Sequence, residues 1–82
     1  MKRGDFVNLT YGGKTVRALV VLVSPNGASL MLNFDGMLFT PEGSAFVGSM
    51  PVLRDGFGTF RDLIAAEPVE IHAASREPGE AQ

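Results

Sequence analysis

The stretch from Thr15 to Phe34 constrains the fold more than any other part of the chain. Two runs rich in β-branched and aliphatic residues, 15–23 and 28–34, flank the turn sequence Ser24-Pro25-Asn26-Gly27. Proline presets φ for the second position of a type I turn, asparagine suits the third, and glycine adopts the positive φ that closes the loop. The stretch therefore predicts a β-hairpin.

The first strand of this hairpin is apolar on both faces. Its two alternating sets are Val16, Ala18, Val20 and Leu22 on one face, and Leu19, Val21 and Val23 on the other. A strand of this kind is usually covered on both faces. We assign the set that contains Leu22, together with Leu32 of the partner strand, to the interior. Leu19, Val21 and the neighbouring Met31 then lie on a face that something else must cover.

The rest of the sequence predicts shorter strands separated by turns, because runs of alternating apolar and polar residues are bounded by glycine and proline. Such strands are predicted at residues 6–11, 45–53 and 69–72. Gly12-Gly13 and Asp35-Gly36 are turn signals. Within the 45–53 segment, Gly48 predicts a bulge or bend, and Pro51 predicts an edge or bend because proline cannot donate to a ladder.

One short helix is predicted between Thr59 and Pro68. Thr59 is a suitable N-cap, Phe60, Leu63 and Ile64 form an apolar stripe at helical spacing, and the proline ends the element. Short strands, frequent turns and one small helix predict an all-β fold, a small antiparallel barrel or roll. In outline this order of elements resembles SH3-like small barrels.

Length and composition predict one small domain, at residues 1–72, with residues 73–82 as a disordered polar tail. The absence of cysteine excludes disulfides and thiolate metal sites. The longest apolar run, Ala18 to Val23, is far short of the ~20 residues that span a bilayer. We see no signal peptide, expect no membrane association and expect a cytoplasmic location.

Charge is distributed unevenly along the chain, although the net charge is only −2. Residues 1–17 carry Lys2, Arg3, Lys14 and Arg17 against the single acid Asp5. Residues 35–72 carry six acids, Asp35, Glu42, Asp55, Asp62, Glu67 and Glu70, against two arginines. These opposite signs could pair within one molecule or between subunits, or they could be scattered solvated charges.

Nothing in the sequence predicts catalysis. His72 is the single histidine, and the pattern identifies no partner that would orient it. Several of the acids stand next to glycine, as in Asp35-Gly36 and Glu42-Gly43, which is ordinary turn chemistry. We therefore expect a protein that is not an enzyme and that binds no cofactor or metal ion.

The segment Gly56-Phe57-Gly58-Thr59-Phe60 lies between Arg54 and Arg61. It resembles the base-stacking strands of RNA-recognition and cold-shock domains, although Asp55 and Thr59 interrupt the recognition-motif pattern. The acidic pI of about 5.2 removes much of the attraction to phosphates. The alternative interpretation is a turn whose two phenylalanines reach the core.

The chain has more apolar residues than one small core can bury. Apolar surface that stays exposed indicates a contact with another protein. We therefore predict a non-catalytic protein-interaction or assembly module. Its candidate partner-binding residues are Leu19, Val21, Met31, Phe57 and Phe60. The partner is either a different protein or a second copy in a homodimer. The alternative function is a small nucleic-acid-binding β-barrel domain, although nucleic-acid binding is not the expected outcome.

Overall fold

The computed structural model describes residues 1–74 and shows a closed antiparallel barrel of six strands. The strands are β1 (Phe6–Tyr11), β2 (Lys14–Val23), β3 (Ser29–Phe39), β4 (Ala45–Arg54), β5 (Phe60–Asp62) and β6 (Pro68–Ala73). Each strand pairs with the next one along the chain, and β6 pairs with β1 to close the barrel. The predicted all-β small barrel is confirmed.

The predicted hairpin is β2–β3, and its turn is held by local hydrogen bonds. The Ser24 amide donates to the Ser29 carbonyl at 2.9 Å, and the Gly27 amide donates to the Ser24 carbonyl at 2.9 Å. The Asn26 side-chain oxygen accepts the Ala28 amide at 3.0 Å. Gly27 has φ 72°, the left-handed conformation that its position in the turn requires.

The core lies inside the barrel and is built from residues of alternate positions along the strands. Its members are Val7, Leu9, Tyr11, Ala18, Val20, Leu30, Leu32, Phe34, Leu38, Phe46, Met50, Val52 and Val69. Leu32 is fully buried, which confirms its predicted interior position. Burying a side chain of this size contributes roughly 1.5–3 kcal/mol to stability.

Leu22 was assigned to the wrong face. Val20 pairs with Leu32, but Leu22 pairs with Met31, so Val21 is an extra residue in β2. This β-bulge reverses the alternation beyond it, because an inserted residue moves all following side chains to the opposite face. Leu22 is therefore 59% exposed, and Val23 packs against the core instead.

A second irregularity bends β3 and β4 together. Asn33 pairs with Ser49 and Met37 pairs with Val47, so three residues of β3 lie opposite Gly48 alone. Gly48 has φ 74°, and the bend predicted at this glycine is confirmed. Asp35-Gly36 lies inside this bulge and does not end the strand. Beyond the bend the buried ring of Phe46 meets that of Tyr11 edge-on, with centroids 5.9 Å apart.

The predicted short helix is wrong. Phe60–Asp62 is β5, which pairs with both β4 and β6, and a turn follows it up to Pro68. Leu63 and Ile64 of the supposed helical stripe are exposed in that turn. The segment is too short for a stable helix, and as a strand it fills the gap between β4 and β6.

At the other end of β6, Ala73 is still in the strand, and residues 75–82 of the predicted tail lie outside the described residues.

Candidate functional site

An apolar band crosses the outer face of β2, β3 and β4. Its centre is a row of three residues on adjacent strands, in which Met31 of β3 pairs with Leu22 of β2 on one side and with Pro51 of β4 on the other. We use the term outer band for this row together with its neighbours Leu19, Val21 and Leu53. Leu53 lies two residues beyond Pro51 on β4, and therefore on the same face.

The two leucines at the sides of the outer band are the most exposed of its residues. Leu22 is 59% exposed and Leu53 is 47% exposed, whereas Leu19, Val21, Met31 and Pro51 are half-buried. Side chains on neighbouring strands of one face lie about 5 Å apart, so the band forms a continuous apolar surface. Contiguous apolar surface of this kind is typical of protein contacts.

Three of the candidate partner-binding residues come together in the outer band, and two do not. Leu19, Val21 and Met31 lie in it. Phe60 points towards the interior, where it packs against the core. The Arg54 guanidinium lies 5.4 Å from the centre of its ring. Phe57 lies on the separate loop between β4 and β5 and is 95% exposed.

Sequence reasoning missed Leu22 and Leu53 as surface residues. The bulge at Val21 that exposes Leu22 has no signal in a run where every residue is apolar. Leu53 could have been found, because strict alternation with the buried Val52 places it on the outer face.

The loop that carries Phe57 is held in one shape by Asp55. One carboxylate oxygen of Asp55 accepts the Phe57 amide at 2.8 Å and the Thr59 amide at 3.0 Å. The other accepts Nε of Arg61 at 2.8 Å. The hydrogen bond from Arg61, followed by those from the Thr59 and Phe57 amides, lowers the pKa of Asp55. The exposed ring of Phe57 is thus presented on a braced loop.

A cleft of about 490 Å³ opens at the end of the barrel where the β1–β2, β3–β4 and β5–β6 turns meet. Its walls include Gly12, Gly13, Phe39, Pro41 and Pro68, and its charged residues are Glu67 and Glu70. Glu42 lies in the adjacent β3–β4 turn, and its charge, like that of Glu67, helps to raise the pKa of Tyr11, which lines the cleft. We call this feature the acidic cleft.

The buried pair Tyr11 and Asp62 lies beside the acidic cleft but is fully engaged within the protein. The Asp62 carboxylate accepts hydrogen bonds from the Tyr11 hydroxyl and from the amides of Ile64, Ala65 and Glu67. Burial would raise the pKa of Asp62, but these donors outweigh it and lower the pKa. Burial, and then the hydrogen bond to Asp62, raises the pKa of Tyr11. The arrangement supports a structural role for both groups.

The remaining chemistry-bearing groups are dispersed. The exposed His72 ring lies 3.4 Å from the Glu70 carboxylate, on the outer side of β6. Residues 1–74 contain no group of three histidine, aspartate or glutamate side chains placed to share a metal ion. This part of the chain also has no helix with the length and apolarity needed to cross a membrane.

Comparisons with protein-family models, with curated proteins and with solved structures found no match to this chain. The surface features that bear on function are the outer band, the braced Phe57 loop and the acidic cleft.

Proposed function

We propose that this protein is a non-catalytic interaction or assembly module that docks another protein subunit on its outer band. The observation that carries the proposal is the row formed by Leu22, Met31 and Pro51, in which apolar side chains from three adjacent strands face outward. The barrel interior already contains a complete core, so this second apolar surface is not needed to fill it.

The physical gain from covering the outer band supports a docking role. Removing a leucine side chain from water contributes up to about 1.5–3 kcal/mol, and a few such residues usually dominate a protein contact. The band lies on paired strands, so docking there requires little ordering of the backbone, which reduces the entropic cost of binding. Phe57, presented on its braced loop beyond the end of β4, offers a second, separate apolar contact point.

The shape of the outer band favours a partner that offers an apolar face of its own, such as a sheet face or an amphipathic helix. That partner is either a different protein or a second copy of this chain. A docking role fits the SH3-like architecture that the order of elements resembles, and we place the module in the cytoplasm as part of the same proposal.

The test is site-specific photocrosslinking in the cells that make the protein. Benzoylphenylalanine is introduced at Leu22 in the outer band and, as a matched control, at the exposed Asn8 on the outer face of β1. We expect a protein adduct of defined mass from the first position and not from the second. Addition of Met31→Glu, which introduces a charge at the centre of the band, should remove that adduct.

Equal crosslinking from Leu22 and Asn8, or an adduct that persists in the Met31→Glu variant, would contradict a specific docking surface. Nuclease-sensitive adducts would instead support the alternative function in nucleic-acid binding. Circular dichroism of each purified variant establishes that the barrel is intact before the adducts are compared.

A further inference from the structure

The two ends of the barrel carry opposite charge. Strands that run alternately up and down place the turns 12–13, 40–44 and 63–67 at one end, which also holds the acidic cleft. Its acidic residues are Glu42, Glu67 and Glu70, and its basic groups are Lys14 at the start of β2 and the Arg61 guanidinium, which donates to the Ala66 carbonyl at 2.9 Å. The opposite end holds the stretch before β1 with Lys2 and Arg3, and Arg54 at the end of β4, against Asp5 and the arginine-paired Asp55.

The acidic cleft has the features expected of a site for a cationic chain segment. Its volume of about 490 Å³ lies in the range of ligand sites in proteins. Phe39 is 58% exposed on its wall and offers an aromatic face, which attracts lysine and arginine. The residues that line it, all in the described part of the chain, include two glutamates and neither lysine nor arginine.

The stretch that bears Lys2 and Arg3 has the complementary charge, and both residues are exposed. Its backbone is fixed to the barrel, because the Gly4 amide donates to the Val20 carbonyl at 2.8 Å and the Lys2 amide donates to the Asp5 carboxylate at 2.9 Å. β1 separates this stretch from the cleft, and six residues of strand span roughly 20 Å. Lys2 and Arg3 therefore lie too far away to occupy the cleft of their own molecule.

We propose that the acidic cleft of one molecule binds the Lys2–Arg3 stretch of a second copy. The two basic side chains meet the carboxylates of Glu67 and Glu70, and Phe39 packs against their aliphatic stems. The contact joins two different surfaces, so it is head-to-tail and generates either a closed ring or an open chain. It uses residues outside the outer band and goes beyond the proposed function.

Two charge-reversal variants and their mixture test the contact. Glu67→Lys/Glu70→Lys keeps a normal basic stretch, and Lys2→Glu/Arg3→Glu keeps a normal cleft. All chains in this test carry Val21→Glu, which removes association through the outer band. In sedimentation equilibrium at low ionic strength, we expect the Val21→Glu chain to associate with rising concentration and each charge-reversal variant of it to remain monomeric. An equimolar mixture of the variants should associate again, because the normal basic stretch of one variant matches the normal cleft of the other, and their two reversed surfaces are also opposite in charge.

Salt provides a second readout. The association constant of the Val21→Glu chain should fall by about tenfold or more in 0.5 M NaCl, where charges are screened within a few ångström. Asn8→Lys/Ser49→Lys adds positive charge away from the cleft and should leave the association unchanged. Leu22→Glu, in the outer band, should also leave it unchanged.

Three outcomes would overturn the inference: a monomeric Val21→Glu chain at about 0.5 mM in low salt, association in that background that survives both charge reversals, or a variant mixture that stays monomeric. Association of the unmodified chain that survives high salt, together with a monomeric Val21→Glu chain in low salt, would assign self-contact to the outer band alone. That result would support the proposed function while removing the head-to-tail contact. Circular dichroism of each variant tests whether it is folded, so that a lower sedimentation mass can be attributed to lost association and not to unfolding.

Discussion

The hydroxyl of Tyr11 donates a 2.7 Å hydrogen bond to the carboxylate of Asp62, 51 residues further along the chain. Both side chains are buried, with exposures of 3% and 2%. The contact joins the end of β1 to the end of β5, close to the place where β5 and β6 share only two residue pairs. A polar link in the interior thus supports the barrel where its ladder is shortest.

Replacing Tyr11 with phenylalanine should destabilise the fold by about 1–3 kcal/mol. The change keeps the ring and its edge-on contact with Phe46 but removes one of the donors that stabilise the buried Asp62 carboxylate. Urea denaturation measures the loss. Thr10→Val is the matched control, because it removes the exposed hydroxyl pair with Thr15 and should cost no more than about 0.5 kcal/mol. Equal losses of unfolding free energy in the two variants would show that the buried hydrogen bond contributes no more than the exposed one.

The same pair predicts a loss of stability at both extremes of pH. The pKa of Asp62 is lower in the folded chain than its ordinary value of about 3.9, so the folded state binds fewer protons there. The stability that Asp62 contributes is present above pH ~4 and is lost as pH falls through the folded pKa. The pKa of Tyr11 is raised above its ordinary value of about 10, so its contribution is present below pH ~10 and is lost as pH rises further.

Thermal melts from pH 2 to pH 12 measure the loss of stability in acid and in alkali. Tyr11→Phe should flatten the decline above pH ~10, because phenylalanine has no proton to release. Asp62→Asn should flatten part of the decline below pH ~4, and the remaining slope should include Asp55, whose pKa is also lowered. If stability declines as steeply with pH in both variants as in the unmodified chain, other groups govern the pH dependence.

The bulge at Val21 predicts a large difference between two leucines on neighbouring strands. Leu32→Ala should cost about 2–5 kcal/mol, because Leu32 is fully buried and its truncation leaves a cavity. Leu22→Ala should cost less than about 1 kcal/mol in the isolated monomer, because Leu22 is 59% exposed. Chemical denaturation of both variants is the measurement. Comparable losses would place Leu22 inside the barrel and remove the bulge.

Alternation along the strands was sufficient to predict much of the interior. The buried residues of β1 and β3, including Leu9 and Leu32, follow directly from the two-residue period. The Val21 bulge could not be predicted, because the run from Ala18 to Val23 is apolar throughout and a shift by one residue leaves the pattern unchanged.

The helix was predicted wrongly because local preference competed with barrel closure. Phe60, Leu63 and Ile64 have helical spacing, but the barrel gains ladder hydrogen bonds and core contacts when Phe60–Asp62 pairs with β4 and β6. The buried environment of Asp62 depends on Tyr11, a residue too distant in the sequence for any local pattern to reveal. For the candidate site, the sequence supplied Leu19, Val21 and Met31, and only the register showed which neighbours complete the band.

We predict no substantial binding to single-stranded RNA or DNA near physiological salt. Two arginines are stacked within the molecule, Arg17 at 4.5 Å from the Phe6 ring centre and Arg54 at 5.4 Å from that of Phe60. Arg61 is bonded to Asp55. These contacts, with the acidic net charge, reduce the cations available for phosphate contacts. Fluorescence anisotropy with mixed-sequence oligomers is the test, and micromolar affinity that falls steeply with salt would favour the alternative function.

The outer band predicts a homodimer with Leu19, Val21 and Met31 at or near its interface. Two copies related by a twofold axis can cover each other's bands, and such dimers are the commonest oligomers. This contact is apolar, so it should persist in 0.5 M NaCl, where an end-to-end contact between charged surfaces is screened. Sedimentation over a range of concentrations in that buffer therefore isolates the band from the acidic cleft.

Val21→Glu should convert the homodimer to a monomer, because it places a charge at a half-buried position of the outer band. Asn8→Glu, on the outer face of β1, adds the same charge where no contact is predicted and should leave the dimer mass unchanged. A sharp monomer mass for the unmodified chain at high micromolar concentration would exclude the homodimer. The outer band would then be left to a different protein, and crosslinking from Leu22 would be the means of detecting it.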